Sequence, residues 1–307
     1  MPMVERCRAI ADAHQEICPL SETQRGVWTY SRQHPQEPFY HIVLRLFCSS
    51  ETDAVRLADA VRQVVNLHPV LKVTIGMDEA GEPVMLRHDK DMPRVEVVRI
   101  PEAERPATEQ IFMRPLNVEN GELYRFLVVQ TEQRTYLYAS FHHIIFDGLS
   151  SGIFMGEVSA IYEGKPIETE TMDAFEVVAR ERQRRQSSDF VTARHWHESA
   201  FKPQDIRILP LPDVHGLPQQ KTAFKTFPLS VTSAQIEQLA KTSRHTPNIV
   251  ALSAFALLQG CFTGEEQARF TTLYHGRHGR KMQKTVGMLV QTLPVALQWQ
   301  AETPLNL

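Results

Sequence analysis

One short stretch of the sequence combines residue types that carry out proton-transfer chemistry. It reads SFHHIIFDGLSSG, residues 140–152, and places His142 and His143 five and four residues ahead of Asp147. A neutral imidazole takes up a proton near neutral pH, because its unperturbed pKa is about 6.5. A nucleophile that attacks a carbonyl group has to lose a proton. The stretch therefore predicts a histidine that acts as a general base or stabilises a charged intermediate.

Asp147 and the glycine after it indicate how such a histidine would be held and approached. Asp147 either orients the ring of His143 or fixes the loop by pairing with a buried cation. Arg125, in the apolar strand-like run LYRFLVV, is the predicted partner, since an arginine buried alone in such a strand would be costly. Gly148 permits a positive φ angle and a close approach of a substrate to the backbone.

Three other interpretations of the stretch compete with this one. Neighbouring side chains of an extended segment leave on opposite faces, which disfavours a metal site shared by His142 and His143. Residues 148–152 also match the GxSxG turn of a serine hydrolase, with Asp213 and His245 as candidate partners, although so short a match arises easily by chance. The plainest alternative is a buried, hydrogen-bonded histidine pair that only packs.

The elements around the stretch must bring it to the end of a strand and the start of a helix. LYRFLVVQ and TYLYASF are strand-like, and the short TEQR between them predicts an antiparallel hairpin. After Gly148 the apolar residues follow one helical face as far as Gly164. Capping-box spacing predicts helix starts at Ser21 with Gln24 and at Thr232 with Gln235.

Further elements follow from the same patterns. The spacing of apolar residues predicts a strand over 41–47, a helix over 52–67, a charged helix from Met172 to about Arg185 and a buried apolar helix within 246–264. A polar stretch near residue 170 predicts a lobe boundary there, and a Pro-rich segment crosses from Pro203 to Pro218.

Composition limits the function classes. The chain has 307 residues, 42% of them hydrophobic, which favours two lobes. A net charge of -3 provides no electrostatic footprint for nucleic acid, and the basic runs 180–185 and 275–284 are interpreted as solvated faces. The four cysteines form no CxxC pair, and the N-terminus lacks an apolar signal core. We therefore expect no metal, no membrane and a cytoplasmic location.

The residues in order resemble the condensation domains of nonribosomal peptide synthetases. Residues 142–148 match the family's HHxxxDG signature, and further segments are similar to its other motifs in the family's order. These segments are LSETQRGVW (20–28), HPVLKV (68–73), PLNVENGELYR (115–125), MDAF (172–175) and VGMLVQTLPV (286–295).

The resemblance implies an α/β fold like that of chloramphenicol acetyltransferase, with two lobes in a V and the histidine motif at their junction. Residues 1–170 would form the N-terminal lobe and 171–307 a partial C-terminal lobe, because the family continues through further motifs. His143 would be catalytic, Gly148 would admit substrate, and His142, Asp147 and Arg125 would be structural. Asp147 would pair with Arg125 within the PLNVENGELYR segment.

The resemblance also implies an activity and partners. A monomeric domain would join an acyl or peptidyl thioester to an aminoacyl thioester in an amide bond. Donor and acceptor carrier proteins would bring both substrates on phosphopantetheine arms, beside an adenylation domain, and the domain itself would bind no cofactor. The alternatives are an acyltransferase of the same superfamily that uses CoA thioesters and a non-catalytic module that recruits carrier proteins.

Overall fold

A computed structural model of the protein describes residues 17–88, 93–118, 121–202 and 225–300. Contacts within the chain define two compact units. The first contains the residues up to Phe190 together with His275–Gln291, and the second contains Val191–Tyr274 and the residues from Thr292 onward. The predicted lobes 1–170 and 171–307 rest on the polar stretch near residue 170 and on the family resemblance, and they stay a prediction. In the contact-based division, residues 171–190 and 275–291 group with the first unit.

Strands and helices both occur along the whole described chain, in irregular order, and the chain therefore has an α/β fold. The strands are β1 (Ile17–Pro19), β2 (His41–Ser49), β3 (Val73–Met77), β4 (Pro83–Arg87), β5 (Val95–Arg99), β6 (Tyr124–Gln130), β7 (Arg134–His142), β8 (Gln267–Tyr274) and β9 (Gln291–Gln298). The helices are α1 (Glu22–Gln33), α2 (Ala54–Leu67), α3 (Arg105–Phe112), α4 (Gly148–Glu163), α5 (Ala174–Arg184), α6 (Ser188–Ala200), α7 (Ser233–Ser243) and α8 (Pro247–Thr263).

The first unit is built around a four-stranded sheet in the order β2-β7-β6-β5. The predicted hairpin is confirmed, since β6 and β7 pair antiparallel with Arg125 opposite Ser140. Strand β2 pairs antiparallel with the other edge of β7, which sets His41 opposite His142, and β5 joins β6 in parallel. A smaller antiparallel sheet has the order β1-β4-β3.

Side chains on the two faces of the four-stranded sheet enter different cores, because successive residues of a strand point to opposite faces. On β6 and β7 the main core receives Phe126, Val128, Leu137, Ala139 and Phe141. Helices α2 and α4 contribute to the same core and pack against each other. The opposite face carries a second cluster beneath α3, made of Phe112, Leu127, Val129, Tyr136 and Tyr138.

The predicted helix starts are confirmed at atomic detail. Helix α1 begins with the reciprocal capping box of Ser21 and Gln24, and α7 begins with that of Thr232 and Gln235. Asp147 is the N-cap of α4, and the helix ends at Gly164 with a left-handed φ of 74°. Only a residue without a Cβ adopts that conformation at little cost.

The second unit contains α7, α8, most of α6 and the two-stranded sheet β8-β9. The apolar run within 246–264 is a helix as predicted, but the prediction that it is buried is wrong. Phe255, Leu258 and Phe262 are 51%, 53% and 66% exposed. Among the described residues, α7, β8 and the ring of Trp299 pack against α8, and they leave much of the helix surface uncovered.

Among the described residues, no single helix combines the length and apolar character needed to cross a membrane. The bent pair formed by α7 and α8 meets the same criteria when its two helices are taken together.

Candidate active site

The histidine pair lies where β7 ends and a short 3-10 turn begins. His142 is the last residue of the strand, and His143–Ile145 form the turn. The strand's alternation directs Phe141 into the main core and His142 to the opposite face, as the sequence predicted for neighbouring residues. The ring of His142 contacts Ile144 and Ser31, whereas the ring of His143 lies beside Tyr40, so the two imidazoles have different surroundings. Within the described residues no three His, Cys, Asp or Glu side chains are grouped so that they could hold a metal ion.

His142 is fixed by hydrogen bonds at both ring nitrogens. Its Nδ1 accepts from the backbone N–H of Ile144 at 3.2 Å, and its Nε2 lies 3.1 Å from Oγ of Ser31 on α1. Since Nδ1 accepts, the ring proton resides on Nε2 and is donated to Ser31. The residue is only 2% exposed, and burial, followed by the nearby His41 and His143, lowers the pKa of His142 to about 3. This imidazole is neutral across the physiological range.

His143 is held through its backbone while its ring is left partly exposed. Its N–H donates to the carbonyl of Tyr40 at 2.8 Å, just before β2. The ring lies edge-on to that of Tyr40, with centroids 6.2 Å apart, and is of intermediate exposure. Within the described part of the chain, its Nδ1 is buried and has no hydrogen-bond partner. Of the two histidines, His143 is the one with an unengaged nitrogen and some access to solvent.

Asp147 is buried and forms an ion pair with Arg277. Nη1 and Nη2 of Arg277 reach the two carboxylate oxygens at 2.8 and 2.9 Å. Asp147 and Arg277 are 1% and 6% exposed. Burial by itself would raise the pKa of Asp147, but the hydrogen bonds and charge of Arg277, together with hydrogen bonds from Ser150, lower it. The carboxylate stays ionised and is bound in the bidentate geometry that arginine favours.

The same ion pair joins the start of α4 to the segment 285–289. Arg277 also donates from Nε and Nη2 to the carbonyl of Thr285, at 3.1 and 2.9 Å. The backbone N–H of Leu289 donates to Asp147 at 3.1 Å. Ser150, which is fully buried, hydrogen-bonds both Asp147 and the backbone of Gly287. Asp147 thus caps α4 and also binds Arg277 and segment 285–289, which it holds against the first turn of that helix.

The predicted pairing of Asp147 with Arg125 is wrong. Arg125 instead donates to Glu122 from Nε and Nη2, at 2.8 and 2.6 Å, and from Nη1 to the carbonyl of Phe112 at 2.7 Å. The reason is strand alternation, because Arg125 shares a face of β6 with Leu127. That face packs under α3, whereas Asp147 begins a helix on the other face. Arg125 therefore ties the end of α3 to the sheet.

Gly148 does not use the conformational freedom predicted for it. It is the first residue of α4 and is not among the residues with a positive φ. Its other predicted property, the close approach of a substrate to the backbone, stays a prediction. A Cβ added at Gly148 would meet no atom within 4 Å, so open space adjoins the backbone there.

The GxSxG interpretation is not supported by the surroundings of its serine. The nucleophile position is Ser150, which is 0% exposed and bonded to Asp147 and Gly287. No contact with a histidine is seen for this hydroxyl in the part of the chain that the structure describes. Of the candidate partners, Asp213 lies outside the described residues, as does the Pro203–Pro218 segment, and His245 belongs to the second unit.

Arg277 is the site residue that the sequence analysis missed. It lies in the basic run 275–284, which was interpreted as a solvated face, an interpretation that is wrong for this residue. A signal was present in the glycines around it. Gly276 has a φ of 71°, and a Cβ there would collide with the carbonyl oxygen of Leu289. A glycine required by close backbone contact indicates a packed turn, and a packed turn differs from the uniform solvated face expected of a basic run.

A second buried charge cluster supports the same segment. His68 is 1% exposed and lies between two carboxylates, with Nε2 at 2.6 Å from Glu157 and Nδ1 at 3.3 Å from Glu170. Burial opposes the charge, but hydrogen bonds to the two carboxylates outweigh it and raise the pKa of His68 to about 9. Glu170 also accepts from the backbone N–H of Val286 at 3.1 Å. A protonated imidazole therefore links α4 to the start of segment 285–289.

Comparisons with known proteins place this arrangement in a family. The sequence profile of the family described as Condensation domain matches residues 14–306. Surfactin synthase subunit 2 of Bacillus subtilis (strain 168) is 25% identical over 92% of this chain. Bacitracin synthase 3 of Bacillus licheniformis is 25% identical over 94% of it. The chain spans only 8% and 5% of the lengths of these two relatives.

Solved structures share the fold. The condensation domain from monacolin K polyketide synthase MokA superposes with a TM-score of 0.76 at 16% identity, over 92% of this chain and 68% of that one. The first condensation domain of the calcium-dependent antibiotic synthetase, in complex with a substrate analogue, gives 0.68 at 19% identity, over 93% and 70%.

In this α/β fold, a histidine pair at a strand end is followed by a buried Asp-Arg ion pair at the start of the next helix. The chain belongs to the condensation domain family, and its resemblance to the condensation domains of nonribosomal peptide synthetases is confirmed.

Proposed function

We propose that the protein forms an amide bond between an acyl or peptidyl thioester donor and an aminoacyl thioester acceptor. One observation supports this above the others. Of the two adjacent histidines, His142 has both ring nitrogens engaged, whereas His143 keeps an unpartnered Nδ1 among the described residues and a partly exposed ring. An intact, accessible imidazole at this position is what a proton-transfer step needs.

The reaction places modest demands on the side chain. The acceptor amine attacks the thioester carbonyl, a C–N bond forms, the C–S bond breaks, and the amine proton ends on the departing thiol. Holding both substrates at bonding distance supplies much of the rate, because effective molarities of well-oriented groups are very high. His143 accepts the proton or stabilises the charged tetrahedral intermediate.

The roles of the other candidate residues follow from their contacts. His142, Asp147 and Arg125 are structural, and the cation that serves Asp147 is Arg277. The open space beside Gly148 admits the substrate to the backbone at the start of α4. Donor and acceptor carrier proteins deliver the thioesters on phosphopantetheine arms next to an adenylation domain, and the reaction takes place in the cytoplasm.

The test is single-turnover condensation with a panel of acyl-loaded donor carriers and aminoacyl-loaded acceptor carriers, followed by mass spectrometry of the acceptor. The wild-type protein should give an amide, and His143→Ala should lose nearly all of the rate while keeping the wild-type melting temperature. Wild-type turnover by His143→Ala would refute the assignment of this residue. Gly148→Ala should remain folded and raise the KM, because the added methyl group occupies open space.

Two parallel arms separate the alternatives. If free acyl-CoA replaces the loaded donor carrier without loss of rate, the protein is a CoA-dependent acyltransferase. If both loaded carriers bind but no amide forms with any pair in the panel, the protein is a recruiting module.

A further inference from the structure

Gln24 takes part in two structures at once. As part of the capping box of α1, its Oε1 accepts from the backbone N–H of Ser21 at 2.9 Å, and its own N–H donates to Oγ of Ser21 at 3.2 Å. The residue is only 2% exposed, and a capping box does not require such complete burial. Its Nε2 donates at 2.8 Å to the carbonyl of Ile144, which is 120 residues away in sequence, and makes a longer contact of 3.6 Å with Sδ of Met85.

Ile144 is the central residue of the turn that begins with His143. Its carbonyl binds Gln24, and its N–H donates to Nδ1 of His142 at 3.2 Å. The turn is anchored at one further point, where the N–H of His143 donates to the carbonyl of Tyr40. Since a 3-10 turn of three residues has little internal hydrogen bonding, these external bonds determine where its first side chain points.

Helix α1 contacts the histidine motif at two places on one face. Gln24 and Ser31 are seven residues apart, which is two helical turns, so their side chains project from the same side. Gln24 binds the turn that follows the histidines, and Ser31 lies 3.1 Å from Nε2 of His142. One rigid helix therefore sets both the strand end and the turn.

The second capping box in the chain separates the two roles of this glutamine. Gln235 at the start of α7 has its Oε1 2.9 Å from the N–H of Thr232, which is the bond that Gln24 makes with Ser21, but Gln235 is exposed. A capping box needs only an acceptor at this position, so glutamate serves as well as glutamine. The amide nitrogen of Gln24 is required for the bond to Ile144 and not for the cap.

We propose that Gln24 is a positioning residue for catalysis, which orients His143 by holding the Ile144 carbonyl. The proposal rests on the amide-forming function proposed above, in which His143 is the group that meets the reacting atoms. Gln24 does not touch the substrate. Its contribution to the rate is exerted through the geometry of the turn.

The experiment replaces one atom. In Gln24→Glu, a protonated carboxyl group still accepts from Ser21 and donates to Ile144, whereas an ionised carboxylate turns negative charge towards the Ile144 carbonyl. Burial and that carbonyl favour the neutral form, whereas the N–H of Ser21 and the N-terminus of α1 favour the ionised form. Because the side chain is buried and faces a carbonyl, we expect the first two to dominate and to raise the pKa of the new carboxyl group. The variant should therefore behave like the wild type at low pH and lose the turn bond as the pH rises.

The measurement is kcat for condensation at saturating thioesters, as a ratio of variant to wild type at each pH from 5 to 9. Taking the ratio removes every effect of pH that the variant and the wild type share. The matched control is Gln235→Glu. Circular dichroism at each pH verifies that every variant is folded at the assay temperature, and melting temperatures are recorded over the same range.

For Gln24→Glu the ratio of kcat should fall by roughly tenfold or more between pH 5 and pH 9, the scale of a buried carbonyl losing its donor. For Gln235→Glu it should stay flat. A Gln24→Glu ratio that does not change with pH, whether or not the melting temperature falls, would overturn the proposal, because it would leave Gln24 with a structural role only. If the wild type makes no amide, the proposed function fails instead.

Discussion

Replacing Arg277 with methionine should destabilise the protein strongly, because it leaves a buried carboxylate without its cation. Methionine keeps an unbranched side chain out to the position of Nε and removes the rest of the guanidinium group, and with it the bonds at 2.8 and 2.9 Å to Asp147. Breaking a buried ion pair by removing one partner costs about 3–5 kcal/mol. The N–H groups of Ser150 and Leu289 still donate to Asp147, which limits the loss. The carbonyl of Thr285 loses its hydrogen-bond donor, and this increases the loss of stability.

The pH dependence of this loss identifies the ion pair as its cause. In the wild type the pKa of Asp147 is lowered, so its contribution to stability is present above the unfolded pKa of about 3.9 and is lost as the pH falls through the folded pKa. Without Arg277, only the hydrogen bonds from Ser150 and Leu289 oppose the effect of burial, so we expect the pKa of Asp147 to be raised. Stability is then lost as the pH rises above about 4. The gap between wild type and Arg277→Met should therefore be wider at pH 8 than at pH 4.

Urea unfolding at a series of pH values measures this gap. The control is Arg280→Met, which removes an exposed arginine of the same basic run and should change the free energy of unfolding by less than about 0.5 kcal/mol. Adding Asp147→Asn to Arg277→Met removes the stranded charge, so the double variant should be more stable than the sum of the two single losses predicts. A loss below about 1 kcal/mol, equal at all pH values, would refute the reasoning.

Three further outcomes are expected. Arg125→Met should lower the free energy of unfolding by about 1–2 kcal/mol, because its partner Glu122 is partly exposed and the other bonds lost are those to backbone carbonyls. A loss equal to that of Arg277→Met would contradict the expectation that Arg125 contributes less than Arg277. By NMR the ring of His142 should not titrate between pH 5 and 8, since its pKa is about 3, and a midpoint near its ordinary value would disprove its burial. His68 has a pKa raised to about 9, so the stability it adds is complete below about pH 6.5 and lost as the pH rises through 9. In urea unfolding, His68→Gln should accordingly differ most from wild type at low pH, and a gap that widens with pH would argue against a charged His68.

Local patterns in the sequence were enough to predict the elements that carry the histidine motif. The β6-β7 hairpin, the capping box of Ser21 with Gln24 and helix α4 ending at Gly164 all depend on residues within a few positions of one another. Such features are properties of a short segment, so one sequence contains the information. The separation of His142 from His143 followed from strand alternation, which is equally local.

The partner of Asp147 could not be found in the same way. It is 130 residues away, and its identity depends on which face of the sheet each charge enters. Arg125 is near in sequence and lies on a strand next to the motif, but alternation directs it to the face under α3. The burial of α8 was mispredicted for a related reason, because an apolar composition does not specify what covers a helix.

The contacts of the motif also explain why so few of its residues need to meet a substrate. Ser31 and Gln24 of α1 hold His142 and the turn, while Tyr40 holds the backbone of His143. Arg277 and Asp147 bind segment 285–289 to the first turn of α4, and His68 acts on the same segment through Glu170. These bonds come from distant parts of the first unit, and they leave Nδ1 of His143 without a hydrogen-bond partner among the described residues. A substitution at any of these residues should therefore change the position of the His143 ring and leave its chemical groups intact. For that reason each variant is best judged by two measurements together, the ratio of its kcat to that of the wild type across pH and its free energy of unfolding.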